Sequence, residues 1–137
     1  MKPFVFEQHR QVLPEDLDLL QHVNNVRYVQ WIQDVAEAHW RQQASADLQQ
    51  QLVWVVLSHF IEYKNPAFLH DEIRLRTFVG EASGPKYDRY VEIWKPKDDK
   101  LCVKAKSVWC LLDAKTQRPK RVTGEVRQLF EDLPGNV

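Results

Sequence analysis

The sequence has little that would tie the chain to an unusual environment. It carries two cysteines, four glycines and one methionine in 137 residues, and its 19 basic side chains are cancelled by 19 acidic ones. Balanced charge leaves no broad field of the kind that draws a protein onto nucleic acid or an anionic membrane, so neither is expected as a partner. No stretch approaches the ~20 apolar residues of a membrane span. The opening MKPFVFEQHRQV sets charges and a proline where a signal peptide needs an unbroken apolar run. A cytoplasmic location is therefore expected. Cys102 and Cys110 fall in one strand-like run, about 26 Å apart at ~3.3 Å per residue, which is beyond disulfide reach. No histidines stand at ligand spacing around them, so both are expected as reduced thiols, with no metal site and no cofactor.

A chain of this length can bury one core but cannot build two ordinary domains, so residues 1–137 are expected to form a single domain. Phe4 to Val12 alternates apolar and polar residues and reads as a strand, followed by a loop opened by Pro14. From Asn25 to about Gln43 the apolar residues Tyr28, Val29, Ile32, Val35, Ala36 and Trp40 recur every three or four positions, the spacing of an amphipathic helix, with Asn24 or Asn25 as its N-cap. A glutamine-rich connection leads to an apolar, β-branched run from Leu52 to Tyr63, closed by Asn65-Pro66. Glu72 to Gly80, Tyr87 to Trp94 and Leu101 to Leu112 read as three further strands, separated by Gly84-Pro85 and by Pro96-Lys97-Asp98-Asp99. Gly124 to Leu133 reads as a short closing helix. Four consecutive strands on short turns imply an antiparallel sheet, and one long amphipathic helix must cover its apolar face, an α+β arrangement.

The chemistry is concentrated in residues 16–28, DLDLLQHVNNVRY, which place two carboxylates, a histidine and two amides immediately before the helix. Free N–H groups and the positive end of the macrodipole at a helix start stabilise negative charge, including the oxyanion that forms when a carbonyl is attacked. Asn24, Asn25 and Val26 are therefore the expected binding point for a substrate carbonyl. Asp18 is ionised at neutral pH, having a reference pKa near ~3.9, and can act as nucleophile or general base. His22 is expected to orient Asp18, a water or the substrate. A lone aspartate before a helix is ordinarily a cap, and Tyr28 and the five tryptophans are the expected packing residues.

The segment Asp16-Leu17-Asp18 through Gln21-His22-Val23-Asn24-Asn25 and Tyr28 resembles the signature of the 4-hydroxybenzoyl-CoA thioesterase-like branch of the hotdog superfamily, and also that of acyl-ACP thioesterases. The resemblance continues through Ile61-Glu62-Tyr63, Asp71-Glu72-Ile73 and Asp113 to Pro119. It implies a hotdog fold, a curved antiparallel sheet wrapped around a central helix, assembled as a homodimer or homotetramer. The implied activity is hydrolysis of acyl thioesters of coenzyme A or acyl carrier protein, with Asp18 as the catalytic carboxylate and His22 at the position of the acyl-ACP enzymes' histidine. Leu20 stands where those enzymes carry asparagine, Pro66-Ala67 where they carry a glutamate-cysteine pair, and Gln21 where the superfamily has glycine. These departures favour a mechanism centred on the aspartate. Two rival readings are a hotdog hydratase or dehydratase and a catalytically silent module that binds acyl thioesters or serves as an assembly partner. Lys115, Arg118, Lys120, Arg121 and Arg127 form a basic set that would suit coenzyme A phosphates or the acidic surface of a carrier protein, although such a run is ordinarily a solvated turn.

Overall fold

The structure is a computed structural model that describes residues 2–134. In chain order it forms β1 (Lys2–Pro3), β2 (Phe6–Gln11), a 3-10 turn (Pro14–Asp16), α1 (Asn25–Gln43), α2 (Ala46–Gln51), β3 (Leu52–Tyr63), β4 (Glu72–Ser83), β5 (Lys86–Lys95), β6 (Lys100–Asp113), α3 (Gly124–Arg127) and β7 (Glu131–Asp132). Helix α1 starts where Asn24 accepts a hydrogen bond from the Val26 N–H and ends where Ala44 donates back to Trp40. Its buried face is Tyr28, Trp31, Ile32, Val35, Ala36 and His39, the i, i+3, i+4, i+7 stripe that a half-immersed helix requires.

That stripe meets the apolar face of a five-stranded antiparallel sheet in the order β2-β4-β5-β6-β3. Strict alternation along β4 and β5 sends Ile73, Leu75, Val79, Val91 and Ile93 toward the interior and Arg74, Arg76, Tyr90 and Glu92 to the other side. Trp31, Ile32 and Val35 are at most 1% exposed, and burying each such side chain contributes roughly 1.5–3 kcal/mol. Ile32→Ala would open a void at the middle of this contact and cost about 2–5 kcal/mol. Bulges near Val56 and Ser58 in β3 and between Val79 and Ala82 in β4 bend the strands that carry them.

Several expectations change. The meander is β4-β5-β6 only, because β3 pairs with β6 at the far edge and the connection through residues 64–71 crosses between them. The glutamine-rich connection contains α2, capped by the Ser45 hydroxyl. The closing helix stops at Arg127, and the chain then turns into β7, which pairs with β1. Cys102 and Cys110 are buried free thiols, as expected. Among the described residues no helix is long and apolar enough to cross a membrane.

Strand β3 is a twelve-residue edge that leaves Val53, Val55, Leu57, Phe60 and Tyr63 exposed, Phe60 to 67%. A long apolar edge with open backbone hydrogen-bonding groups is a surface that soluble proteins ordinarily cover.

Candidate active site

The loop before α1 is held from both sides by Asp16. This residue is 3% exposed; one carboxylate oxygen accepts from the Leu13 N–H at 2.8 Å, and the other pairs with Arg27 Nε at 3.0 Å. Its carbonyl also accepts from the Asn24 N–H at 2.8 Å. The two carboxylates of the motif therefore separate in role, Asp16 fastening the loop to the first turn of the helix and Asp18 standing at the next bend.

From Asp18 to His22 the backbone closes on itself. The Asp18 N–H donates to the His22 carbonyl at 2.7 Å and the Gln21 N–H to the Asp18 carbonyl at 3.1 Å. Gln21 takes φ of 64°, the left-handed region that favours glycine. Asp18 Oδ1 accepts from the Leu20 N–H at 2.8 Å and the His22 N–H at 3.1 Å, whereas Oδ2 has no partner among the described residues. The carboxylate is thus oriented by two main-chain donors with one oxygen left open.

Beside it lies a cavity of about 310 Å³ lined by Asp18, His22, Asn25 and Tyr28 on one side and by Tyr63, Lys64 and Asn65-Pro66 on the other. At the helix start the Val26 N–H is taken by Asn24 Oδ1 at 3.0 Å, and the Arg27 and Tyr28 N–H groups by the Asn24 carbonyl at 2.9 and 3.3 Å. Asn25 alone in this first turn keeps an N–H without a partner among the described residues. Asp18, His22 and Asn25 therefore share one cavity, while Asn24 acts as the cap and Val26, 75% exposed, does not line it.

His22 places its ring edge-on against Phe68, 5.2 Å between centroids, so its connection to Asp18 runs through the backbone rather than the imidazole. Tyr28 was assigned to packing and is indeed buried, yet its hydroxyl has no hydrogen-bond partner among the described residues and the residue lines the cavity. Burial, with Cys102 as the next cause, pushes this hydroxyl up to about 12, so it keeps its proton at neutral pH. Its place one helical turn after Asn25 was the available signal. Lys64, paired with Glu62 at 3.1 Å, is the cation lining the cavity. Lys115, Arg118, Lys120 and Arg121 are exposed and line neither this cavity nor its wall, and Arg127 pairs with Glu131 at 3.0 Å.

The family model of the thioesterase-like superfamily matches residues 12–130. The long-chain acyl-CoA thioesterase FadM of Escherichia coli is 27% identical over 122 residues, 85% of this chain and 90% of that one. The crystal structure of YbaW, a probable thioesterase from Escherichia coli, superposes with a TM-score of 0.76 at 26% identity over 90% of this chain and 94% of that chain. A 1,4-dihydroxy-2-naphthoyl-CoA thioesterase from Synechocystis shares the fold at a TM-score of 0.79 and 15% identity, over 92% and 95% of the two chains.

Proposed function

Because the chain belongs to the thioesterase-like superfamily, has the hotdog fold and is a thioester hydrolase, we propose that it cleaves acyl thioesters of coenzyme A with Asp18 as the reacting carboxylate. The observation that carries this reading is that one cavity is lined both by Asp18, whose Oδ2 has no partner among the described residues, and by Asn25, whose N–H at the start of α1 has none either. Asp18 Oδ2 either attacks the thioester carbonyl carbon or takes a proton from a water that does so. The carbonyl oxygen becomes an oxyanion, stabilised by the Asn25 N–H and the positive end of α1. The tetrahedral centre collapses by expelling the thiolate, whose conjugate acid has a pKa of about 8.5 in the reference cysteine, so no strong general acid is required. If Asp18 is the nucleophile, water then hydrolyses the resulting acyl anhydride.

Coenzyme A is favoured over acyl carrier protein as the carrier by the similarity to FadM along most of both chains. The exposed apolar edge of β3 supports a homodimer or homotetramer in which a neighbouring subunit covers Val55, Leu57 and Phe60 and completes the wall begun by Tyr63. The test is a thioester panel varying chain length, aromatic character and carrier, with free-thiol detection and Asp18→Asn alongside. Thiol release from acyl-CoA that falls at least ~100-fold in folded Asp18→Asn supports the assignment. Unchanged turnover in that variant would overturn it, and a protein that binds acyl-CoA without releasing thiol would favour the silent module.

A further inference from the structure

A second cavity, of about 290 Å³, opens beside the C-terminal half of α1 and shares no lining residue with the one at Asp18. Along the helix axis Asn25 and Trp40 are about 22 Å apart at ~1.5 Å per residue. The fully buried Trp31, Ile32 and Val35 belong to the solid core of the intervening stretch. Its walls include Trp40, Trp54, Tyr87, Trp109 and Phe130, so the surfaces are flat aromatic faces.

Arg89 is set among them. It sits on the inner face of β5, is 7% exposed, and has no carboxylate within ion-pair distance among the described residues. Nη1 donates to His39 Nδ1 at 3.0 Å and to Thr77 Oγ1 at 3.1 Å, and the guanidinium lies 5.0 Å from the centre of the Phe130 ring. All of these partners are neutral: a guanidinium offers no acceptor, so His39 must receive at Nδ1 and carry its proton on Nε2. The Glu131 carboxylate is occupied by Arg127 and by the Tyr87 hydroxyl. Burial lowers Arg89 to about 10, which still leaves it charged at neutral pH. The carboxylates Glu37 and Asp88 also line the cavity but are paired with Arg41 and Lys106, so among the described residues Arg89 is the lining cation without a carboxylate partner, set between aromatic rings. Buried charges are ordinarily paired, and a planar guanidinium fork matches a carboxylate in geometry.

We propose that this cavity is a second binding site, separate from the Asp18 site, for a compact aromatic carboxylate whose anionic group pairs with Arg89 and whose ring packs against the tryptophan walls. The volume lies near the lower end of the ~300–1,000 Å³ typical of small-molecule sites, which suits a single-ring acid. The inference does not depend on the reaction at Asp18. It is tested on the intact protein by calorimetric titration with cinnamate, the uncharged cinnamamide and the aliphatic octanoate. Cinnamate is expected to bind saturably, at least about tenfold more tightly than either comparator, and to do so equally in Asp18→Asn. Arg89→Met, which retains the stem and removes the fork, is expected to weaken cinnamate at least tenfold and leave cinnamamide unchanged. No saturable binding of cinnamate to the wild type, an equal grip on cinnamamide, tighter binding of octanoate, or loss of binding in Asp18→Asn would each overturn the proposal. The wild-type ligand series decides the matter even where Arg89→Met does not fold.

Discussion

His22 holds Asp18 with its backbone and not with its ring. Its N–H reaches Asp18 Oδ1 at 3.1 Å and its carbonyl receives the Asp18 N–H at 2.7 Å, while the imidazole stands edge-on to Phe68. The loop geometry that orients the carboxylate is therefore largely independent of the side chain at position 22. His22→Ala is expected to lower turnover by about tenfold or less, against at least ~100-fold for Asp18→Asn. Steady-state assays on both variants check this, and an equal loss in the two would make the imidazole a full partner in the chemistry.

Gln21 occupies a left-handed bend, with φ of 64°. A residue with a Cβ is strained there, while glycine is not, although glycine also gains freedom in the unfolded chain. Gln21→Gly is expected to change stability by no more than about 1 kcal/mol in either direction, whereas the β-branched Gln21→Val should cost more than that and disturb the Asp18 loop. Urea denaturation of the two variants measures the difference. A Gln21→Val protein as stable as wild type would show that the bend is not strained.

His39 carries a pH dependence with a definite sign. Burial first, and the neighbouring Arg89 second, lower its pKa from the usual 6.5 to about 3. The folded protein thus binds fewer protons than the unfolded chain between these values, so the contribution of neutral His39 is fully present above pH ~6.5 and is lost as pH falls toward about 3. By pH 5 the loss is about 2 kcal/mol, from ~1.36 kcal/mol per unit. His39→Gln keeps an acceptor for Arg89 and removes the titration, so its stability should be flatter between pH 6.5 and 5. A variant whose stability falls as steeply as wild type over that window would assign the slope to other groups.

The exposed edge of β3 leads to an assembly prediction. Sedimentation at low micromolar concentration is expected to find at least a dimer. Leu57→Lys, a charge placed on a residue that is 52% exposed in the single chain, should shift the protein toward monomer and lower its turnover. A wild-type monomer of full activity would remove the basis for a site completed by a neighbour.

The span of helix α1 was legible because its apolar stripe and its asparagine cap are both local patterns, although the cap was left between Asn24 and Asn25 and the buried face takes Trp31 and His39 in place of Val29 and Trp40. The grouping of Asp18, His22 and Asn25 around one cavity is likewise local, since they lie within one loop and the helix it opens. What escaped was long-range or weakly patterned. Nothing in the run from Leu52 to Tyr63 says that it pairs with β6 rather than with β4, since the same alternation suits either neighbour. Helix α2 has too few apolar residues for a stripe, and the two-residue β1 and β7 are made by pairing across the whole chain. Tyr63 and Asn65-Pro66 enter the cavity only through that distant packing. Arg89 shares the inward phase of Tyr87, Val91 and Ile93 in β5, yet its charge on an apolar face was not singled out because its neighbours His39 and Thr77 come from other elements.

The two sides of the Asp18 cavity come from separate stretches of chain. The hydrogen bonds that orient the carboxylate are all made within residues 16–28, and the opposing wall is supplied by residues 63–66. Substitution in the second stretch can reshape the space offered to a bound group while every bond around Asp18 stays in place. Reactivity and fit can therefore drift independently over generations of sequence change, with the first stretch constrained by bond geometry and the second free to explore.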